Sequence, residues 1–212
     1  MSEVETTSSI NHDTVAADAA GRKRPKPGER RVQILQTLAS MLERPGAERV
    51  TTAALAGKLD VSEAALYRHF ASKAQMFEGL IEFIESSIFS LLNQIAEREQ
   101  NAAARLGKTI AMVLQFGEKN PGMCRVMTGD ALVFENERLQ ERMNQLFDKL
   151  ESSFKQNLRD LVVSSATPTV EAQAQASVLT AFCMGRLQRY GRSGFKRLPT
   201  EHLDASLARL LG

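Results

Sequence analysis

The segment 51–73 carries hydroxyl, small and basic side chains in an order that suits hydrogen bonding to a polyanion. Hydroxyl groups open its two short apolar runs, TTAALAGKL and SEAALYRHF, at Thr51 and Ser62. Such hydroxyls cap helices, and the first N–H groups of a helix bind phosphate oxygens. In the second run, Ala64 can contact a thymine methyl group, and Arg68 can bond guanine or phosphate. These residues favour nucleic-acid recognition.

A helix-turn-helix is the element that would position these side chains. The turn falls at Asp60, a residue that tolerates positive φ less easily than glycine, and Val61 can fill the gap between the helices. Ala54, Ala56 and Gly57 supply small residues for the helix crossing, and the second helix is expected in the major groove. The residues predicted to contact DNA are Arg22, Lys23, Arg24, Thr51, Thr52, Ser62, Ala64, Ala65, Tyr67, Arg68, His69 and Lys73.

Charge is distributed unevenly along the 212 residues, although the net charge is only +2. Residues 1–20 contain four acids and no Lys or Arg, whereas residues 21–73 contain eleven Lys and Arg against five Asp and Glu. The remaining residues, 74–212, contain equal numbers of basic and acidic side chains. A local excess of cations indicates a polyanionic partner for 21–73, and the basic arm around Arg22–Arg24 is expected to reach a minor groove. Residues 1–20 have the composition of a disordered tail.

The apolar residues recur at three- and four-residue steps throughout the chain, which predicts an all-α fold. Proline and glycine at Pro45-Gly46 and Asn120-Pro121-Gly122, and the segment SSATPT at 164–169, divide the helices. The inward stripes are expected to include Val32, Leu35, Leu38, Ala39 and Leu42; Ala54, Leu55 and Leu59; Ala65, Leu66 and Phe70; Phe77, Leu80, Ile84, Ile88, Leu91 and Ile95; and the row from Leu139 to Leu161.

Several other classes of protein find no support. No apolar run approaches the roughly 20 residues of a membrane span, and the N-terminus lacks the order of a secretory signal. The three histidines and two cysteines, Cys124 and Cys183, show no metal-ligand spacing. No phosphate loop or nucleophile elbow is present. We expect no enzyme activity, cofactor, metal or membrane association, and the unpaired cysteines fit a reducing cytoplasm.

Residues 28–80 resemble the N-terminal domain of TetR-family regulators, down to the pattern L-x-V-S-x-x-x-L-Y-R-H-F-x-S-K. This resemblance implies a TetR-like fold, with an N-terminal three-helix DNA-binding domain and a C-terminal helical domain for dimerisation and regulation. The expected divisions are a tail and arm at 1–27, a helix-turn-helix domain at 28–73 and a dimerisation and partner-binding domain at 74–212. Asp60 and Ala71 stand where glycine and proline are usual.

Beyond this pattern, the chain is similar to the family members that act in nucleoid occlusion. The matching stretches are VSEAALYRHFASK, MFEGLIEFIESSI, FGEKNPGM, TGDALVFENERLQERMNQLF and AFCMGRLQRY. The resemblance implies a nucleoid-associated cytoplasmic homodimer that binds palindromic chromosomal sites in double-stranded DNA. It also implies inhibition of the assembly of the tubulin-like protein FtsZ over the nucleoid, which blocks division there, with no small-molecule effector.

A second surface is expected between the fourth and fifth helices. Phe83 lies about 100° off the inward stripe, beside Ile84, and with Met76 one heptad earlier it would form an uncovered apolar shoulder. The residues alone favour the alternative in which Phe83 packs against the first helix of its own domain. The resemblance instead implies FtsZ binding by Phe83, Lys119 and Asn120, with Lys119 standing where arginine is usual. Leu91 and Gln115 do not match the family's pattern.

Two features of residues 137–192 are candidates for the dimer interface. One is the heptad-like row from Leu139 to Leu161, and the other is the set of small residues in the next helix. Either could equally belong to the core of a single chain. The alternative function is a ligand-responsive transcriptional repressor, which predicts an apolar effector pocket within residues 100–190.

Overall fold

The computed structural model describes residues 28–44, 49–161 and 168–211, and within these ranges it contains helices and no strand. The helices predicted from apolar spacing agree closely with those of the structure. The helices are α1 Glu29–Leu42, α2 Thr52–Leu59, α3 Glu63–Tyr67, α4 Lys73–Arg98, α5 Ala102–Lys119, α6 Pro121–Met127, α7 Glu137–Leu161, α8 Pro168–Arg192 and α9 Leu203–Leu211. The predicted all-α class is confirmed.

Helix α1 packs on α4 and on α2, and α2 packs against α3. Leu38 and Leu42 of α1 are buried as expected, but Val32 is 53% exposed and Ile34 is fully buried instead. In α2 the buried alanine is Ala56, whereas Ala54 is exposed. Both differences are shifts of two residues around a helix, and they arise because an apolar side chain is also compatible with the solvent-facing side.

Helix α4 spans both halves of the molecule, because its first turns contact α1 and its length packs against α5 and α7. Its predicted stripe is buried from Phe77 to Ile88, but at the far end Leu92 is buried whereas Leu91 is 38% exposed. The row from Leu139 to Leu158 in α7 lies in the core of the single chain. That row therefore does not form a dimer seam, although Leu161 at its end is exposed.

Helix α6 joins the N-terminal helices to the remainder of the chain. A Cβ atom at Gly122 would lie 2.0 Å from the carbonyl oxygen of Ala39. Helices α1 and α6 therefore approach each other more closely than a residue with a side chain at position 122 would allow. Arg125 donates to the carbonyl oxygens of Leu42 (3.3 Å) and Arg44 (3.4 Å) at the end of α1. These bonds satisfy carbonyl groups that a helix end leaves without a partner.

Helix α8 divides its side chains between two faces. Ala172, Ala176 and Leu179 are buried against the chain's own core, mainly by α7. The opposite face presents small and apolar side chains to solvent, including Val178 at 53% exposure and Met184 at 43%. The small residues of this helix therefore serve both the core and an exposed face. Among the described residues, no helix is long and apolar enough to cross a membrane.

Candidate nucleic-acid interface and a second surface

The turn between α2 and α3 is closed by Asp60 in the left-handed conformation, at φ 54° and ψ 50°. The N–H of Val61 donates to the carbonyl of Ala56 (3.1 Å), and the N–H of Asp60 donates to that of Gly57 (3.2 Å). This pair of bonds is a Schellman motif, which satisfies the last carbonyls of α2. Val61 packs against the core. The predicted positive φ at Asp60 and the filling role of Val61 are confirmed.

Both helices of the motif begin at hydroxyl caps. Thr51 accepts a hydrogen bond from the N–H of Ala54 (3.1 Å), and Ser62 accepts one from the N–H of Ala65 (3.3 Å). The hydroxyl of Thr52 donates to a carboxylate oxygen of Glu63 at 2.5 Å, a contact that sequence reasoning missed. This bond ties the start of α2 to the start of α3, so the two N-termini are held together on one side of the motif.

An exposed polar face runs along α3 and past its end. Ala64, Tyr67, Arg68 and His69 are exposed, with Tyr67 at 45%, whereas Ala65 is half-buried. Exposure leaves the first four free to approach a DNA groove. The half-buried Ala65 offers less of its surface, because the adjacent Leu66 is anchored in the core.

Arg31 of α1 fixes the end of this face, although the sequence pattern gave no indication of it. Its guanidinium lies 4.2 Å from the ring centroid of Phe70 and donates to the carbonyl oxygen of His69 at 3.0 Å. A cation over an aromatic ring is attracted to the negative face of that ring. The bond also places a positive charge beside Arg68 and His69, which favours an anion at this point.

The remaining predicted DNA contacts have different surroundings. Lys73 is in an ion pair with Glu135, and its side chain is only 22% exposed. Its ammonium also lies 5.6 Å from the ring centroid of Phe77. The ammonium group of Lys73 is thus partly occupied by contacts within the protein. Arg22, Lys23 and Arg24 lie outside the described residues.

The second predicted surface contains Phe83, which is 50% exposed on α4. Half of the Phe83 side chain is therefore open to solvent, but Met76 is fully buried and does not extend an apolar shoulder. A methionine one heptad earlier falls on the core side because α4 packs against α1 at that level. Lys119 is exposed, and the amide of Asn120 donates to the carbonyl of Phe116 at 2.8 Å.

Phe83 and Lys119 lie at similar heights of the α4–α5 hairpin. Phe83 precedes the end of α4 at Arg98 by fifteen residues, and Lys119 follows the start of α5 at Ala102 by seventeen. With about 1.5 Å of rise per residue, both are roughly 22–26 Å from the connecting turn. Phe83 and the end of α5 therefore lie at the same level along the two helices.

Glu118, next to Lys119, anchors the segment between α8 and α9. Its carbonyl accepts from the hydroxyl of Tyr190 (3.0 Å), and its carboxylate accepts from the hydroxyl of Thr200 (2.5 Å). Burial is the main cause of the raised pKa of Tyr190, so this hydroxyl stays protonated and donates. These contacts join residues that are far apart in the sequence, so the spacing of residues along the chain gives no indication of them.

The two cysteines have no chemical role in either surface. Burial raises the pKa of the Cys124 thiol and of the Cys183 thiol to about 12, so both are neutral near pH 7. Among the residues that the structure describes, no group of three His, Cys, Asp or Glu could hold a metal ion.

Two family models match the chain. Residues 34–80 match the model described as bacterial regulatory proteins of the tetR family. Residues 100–211 match the SlmA-like model, described as a tetracyclin repressor-like C-terminal domain. Together they cover the helix-turn-helix and α5 to α9.

Solved structures share the fold at low sequence identity. The fatty acid degradation regulator FadR from Bacillus halodurans superimposes with a TM-score of 0.70 at 11% identity, covering 89% of this chain and 97% of that one. A TetR-family transcriptional regulator from Bordetella parapertussis gives 0.68 at 16% identity, covering 87% and 95%. These likenesses establish the architecture.

Curated relatives are much more similar in sequence. The nucleoid occlusion factor SlmA of Idiomarina loihiensis is 49% identical over 177 residues, covering 83% of this chain and 90% of the relative. The SlmA protein of a Marinomonas species is 50% identical with the same coverage. With half of the aligned residues shared over nearly the whole length of these relatives, the chain belongs to the SlmA nucleoid occlusion factors of the TetR family.

Proposed function

We propose that this protein is a homodimeric nucleoid occlusion factor that binds palindromic chromosomal sites and FtsZ at the same time. It blocks FtsZ polymer and Z-ring assembly over the nucleoid and so inhibits division there. The observation that carries the proposal is the presence, in a chain 49% identical to a SlmA protein, of an exposed helix-turn-helix face and a separate exposed Phe83. Its place in the cell is the cytoplasm, on the nucleoid.

The DNA-binding half of the proposal is supported by the helix-turn-helix geometry. The capped N-termini of α2 and α3 are joined by the hydrogen bond from Thr52 to Glu63. Ser62, Ala64, Tyr67 and Arg68 line the exposed side that a major groove would meet. We assign DNA binding to residues 28–73, aided by the arm at Arg22, Lys23 and Arg24.

The FtsZ half is supported by the exposure of Phe83 and by its level with Lys119 and Asn120 in the hairpin. A half-exposed phenylalanine is the kind of aromatic anchor that carries binding energy in protein interfaces. Lys119 supplies a point charge in place of the forked donors of arginine, so its contact with a carboxylate would be the weaker kind. We assign this surface to residues 74–212.

The decisive experiment measures how much FtsZ sediments as polymer with GTP, in the presence of the protein with and without its DNA site. We expect the protein to lower the sedimented fraction, and to do so only when the DNA is added. Phe83→Ala should abolish this effect while leaving DNA binding intact. Val32→Ala, which also shortens a half-exposed apolar side chain, is the matched control and should behave like the wild type.

Two further variants, Thr51→Ala and Arg68→Ala, test the DNA-binding half of the proposal apart from the FtsZ-binding half. Thr51→Ala removes a cap as well as a phosphate contact, whereas the exposed Arg68 can be truncated without loss of a packed group. Both variants should lose most of the DNA affinity and, with it, the effect on FtsZ. If the wild-type protein binds DNA but never alters FtsZ sedimentation, the FtsZ half of the proposal is wrong.

The alternative function, a ligand-responsive repressor, needs an effector pocket in the helices after α4. An apolar cavity of about 330 Å³ lies between α6, α7 and α8 and is lined by Met127, Thr128, Phe147, Ala181, Met184, Gly185 and Gln188. It borders the exposed face of α8, where a second copy would cover it. Release of DNA by a small apolar ligand, with no effect on FtsZ, would favour this alternative.

A further inference from the structure

A basic groove lies at the junction of α8, α9 and the segment between them. It has a volume of about 800 Å³ and is lined by Arg186, Arg189, Lys196, Arg197, Leu198, Thr200, Glu201, His202 and Ser206. Four of these residues are Lys or Arg, and one is an acid. The lining therefore has a net charge of about +3, and a cleft of one sign focuses its field on a ligand of the other sign.

One cation of the groove, Arg186, is held in place by two hydrogen bonds, and a second, Arg189, lies near a carboxylate. Arg186 donates to the carbonyl oxygen of Glu201 and to the hydroxyl of Ser206, both at 2.8 Å. Arg189 lies 3.9 Å from the Glu201 carboxylate, and half of its side chain is exposed. An arginine fixed in this way has fewer rotamers to lose when it binds a carboxylate.

The loop that carries Lys196 and Arg197 is also fixed. The hydroxyl oxygen of Ser193 accepts from the N–H groups of Lys196 (3.1 Å) and Arg197 (2.9 Å). Phe195 has a positive φ of 64°. A non-glycine residue persists in that conformation where its surroundings enforce it, and such positions concentrate at functional sites. Both cationic side chains remain exposed.

The groove adjoins the end of α5, where Lys119 of the surface assigned to FtsZ lies. Thr200, on its wall, is bonded to the carboxylate of Glu118, and Lys119 is the next residue of the chain. The contacts that hold the groove run to α5 and α9, whereas the proposed DNA contacts belong to α2 and α3. A partner that contacts Lys119 would therefore come close to the groove at the end of α5.

We propose that the basic groove is a second docking site for the same polymerising partner and binds an acidic segment of it. This inference rests on the proposed function. The Phe83 region supplies the apolar anchor, and Lys196 and Arg197 supply charge that speeds encounter and fixes the orientation of the partner. The chemistry required of the ligand is a run of carboxylates, because the cations outnumber the single acid of the lining.

The test uses the double charge reversal Lys196→Glu/Arg197→Glu in the full-length dimer. Affinity for FtsZ is measured by biolayer interferometry on DNA-loaded protein at several salt concentrations, beside the sedimentation assay. We expect about tenfold weaker binding at low salt, a flatter salt dependence and unchanged affinity for DNA. Poly-L-glutamate should compete with FtsZ on the wild type and lose this effect on the variant.

A matched control separates a local effect from a change in overall charge. Arg98→Glu/Arg209→Glu reverses two exposed arginines at the ends of α4 and α9 and should bind FtsZ like the wild type. Equal affinity of the groove variant and the wild type overturns this inference, and the proposed function survives if Phe83→Ala still abolishes binding. A loss of DNA affinity in the groove variant overturns it too, because the groove would then belong to the DNA interface.

Discussion

Lys73 and Glu135 form an ion pair that joins the first residue of α4 to the loop before α7, with the glutamate side chain only 9% exposed. The link connects the end of the helix-turn-helix to the C-terminal helices. Two further pairs, Arg138 with Glu78 and Arg142 with Glu85, continue it along α4 and α7. The hydrogen bond to Glu85 raises the pKa of Arg142. Lys73 therefore has a structural role, in addition to the DNA contact predicted for it.

The first prediction concerns this pair. Glu135→Gln should lower the free energy of unfolding by about 1–3 kcal/mol, because the ammonium of Lys73 then lacks a charged partner in a partly buried position. Urea denaturation of Glu135→Gln, Lys73→Met and the double variant gives the coupling energy. Strictly additive effects would show that the pair contributes nothing. Glu135→Gln should not weaken DNA binding, because it frees the Lys73 ammonium.

The second prediction concerns the close approach of α1 and α6. Gly122→Ala would place a Cβ 2.0 Å from the carbonyl oxygen of Ala39, a backbone atom that cannot turn aside. We expect a loss of at least about 2 kcal/mol in the free energy of unfolding, from overpacking. Gly57→Ala is the matched control, since no atom lies within 4 Å of its Cβ, and it should be neutral or raise stability by up to about 1 kcal/mol. Equal melting temperatures for the two variants would contradict the contact.

Periodicity predicted the helices well because several breaks in the chain carry a strong local signal. Thr51 and Ser62 are caps in both sequence and structure. Ser72 also caps a helix by accepting from the N–H of Gln75, but the side chain of Gln75 accepts from the N–H of Ala71 and not from that of Ser72, as a capping box would require. Which of two neighbouring N–H groups donates to Gln75 depends on the local path of the backbone, and the spacing of residues in the sequence does not specify that path.

The candidate sites were less predictable wherever contacts are long-range. The residues alone favoured packing of Phe83 against α1, yet half of its side chain is exposed. Burial of Met76 depends on α1 crossing α4 at that level. The pairing of Lys73 with Glu135 joins residues 62 positions apart, and no local pattern relates them. Both cases are decided by tertiary packing. The roles of the DNA-contacting and FtsZ-contacting residues stay predictions for the variants above.

The third prediction uses the turn at Asp60. A side chain in the left-handed region costs roughly 1 kcal/mol relative to glycine, so Asp60→Gly should raise or maintain stability. Asp60→Val should lower the free energy of unfolding by about 1–2 kcal/mol, because a β-branched residue is more strained there. Thermal melts of the two variants measure whether glycine maintains or raises the stability and whether valine lowers it. A more stable valine variant would be inconsistent with the observed φ.

The fourth prediction follows from the buried thiols. Cys124 and Cys183 ionise near pH 12 in the folded chain, against 9.0 without burial, so the folded state disfavours the thiolate. Their contribution to stability is complete below pH 9 and declines as the pH rises from 9 towards 12. At pH 8 neither thiol should react with a disulfide reagent until urea unfolds the protein. Fast labelling of the native protein would show that burial is incomplete.

The last prediction concerns the exposed face of α8, which we propose as the contact between two copies. Val178 and Met184 are half-exposed on it, beside the small residues Ala181 and Gly185 that permit close approach of another helix. Val178→Glu would bury a charge in such a contact and should convert the dimer to monomer in sedimentation velocity at micromolar concentration. Val32→Glu, which adds a charge to an equally exposed valine of α1, should remain dimeric. The monomeric variant should also bind a palindromic site much more weakly, since each copy then contacts only one half-site. A fully dimeric Val178→Glu would place the interface on another face.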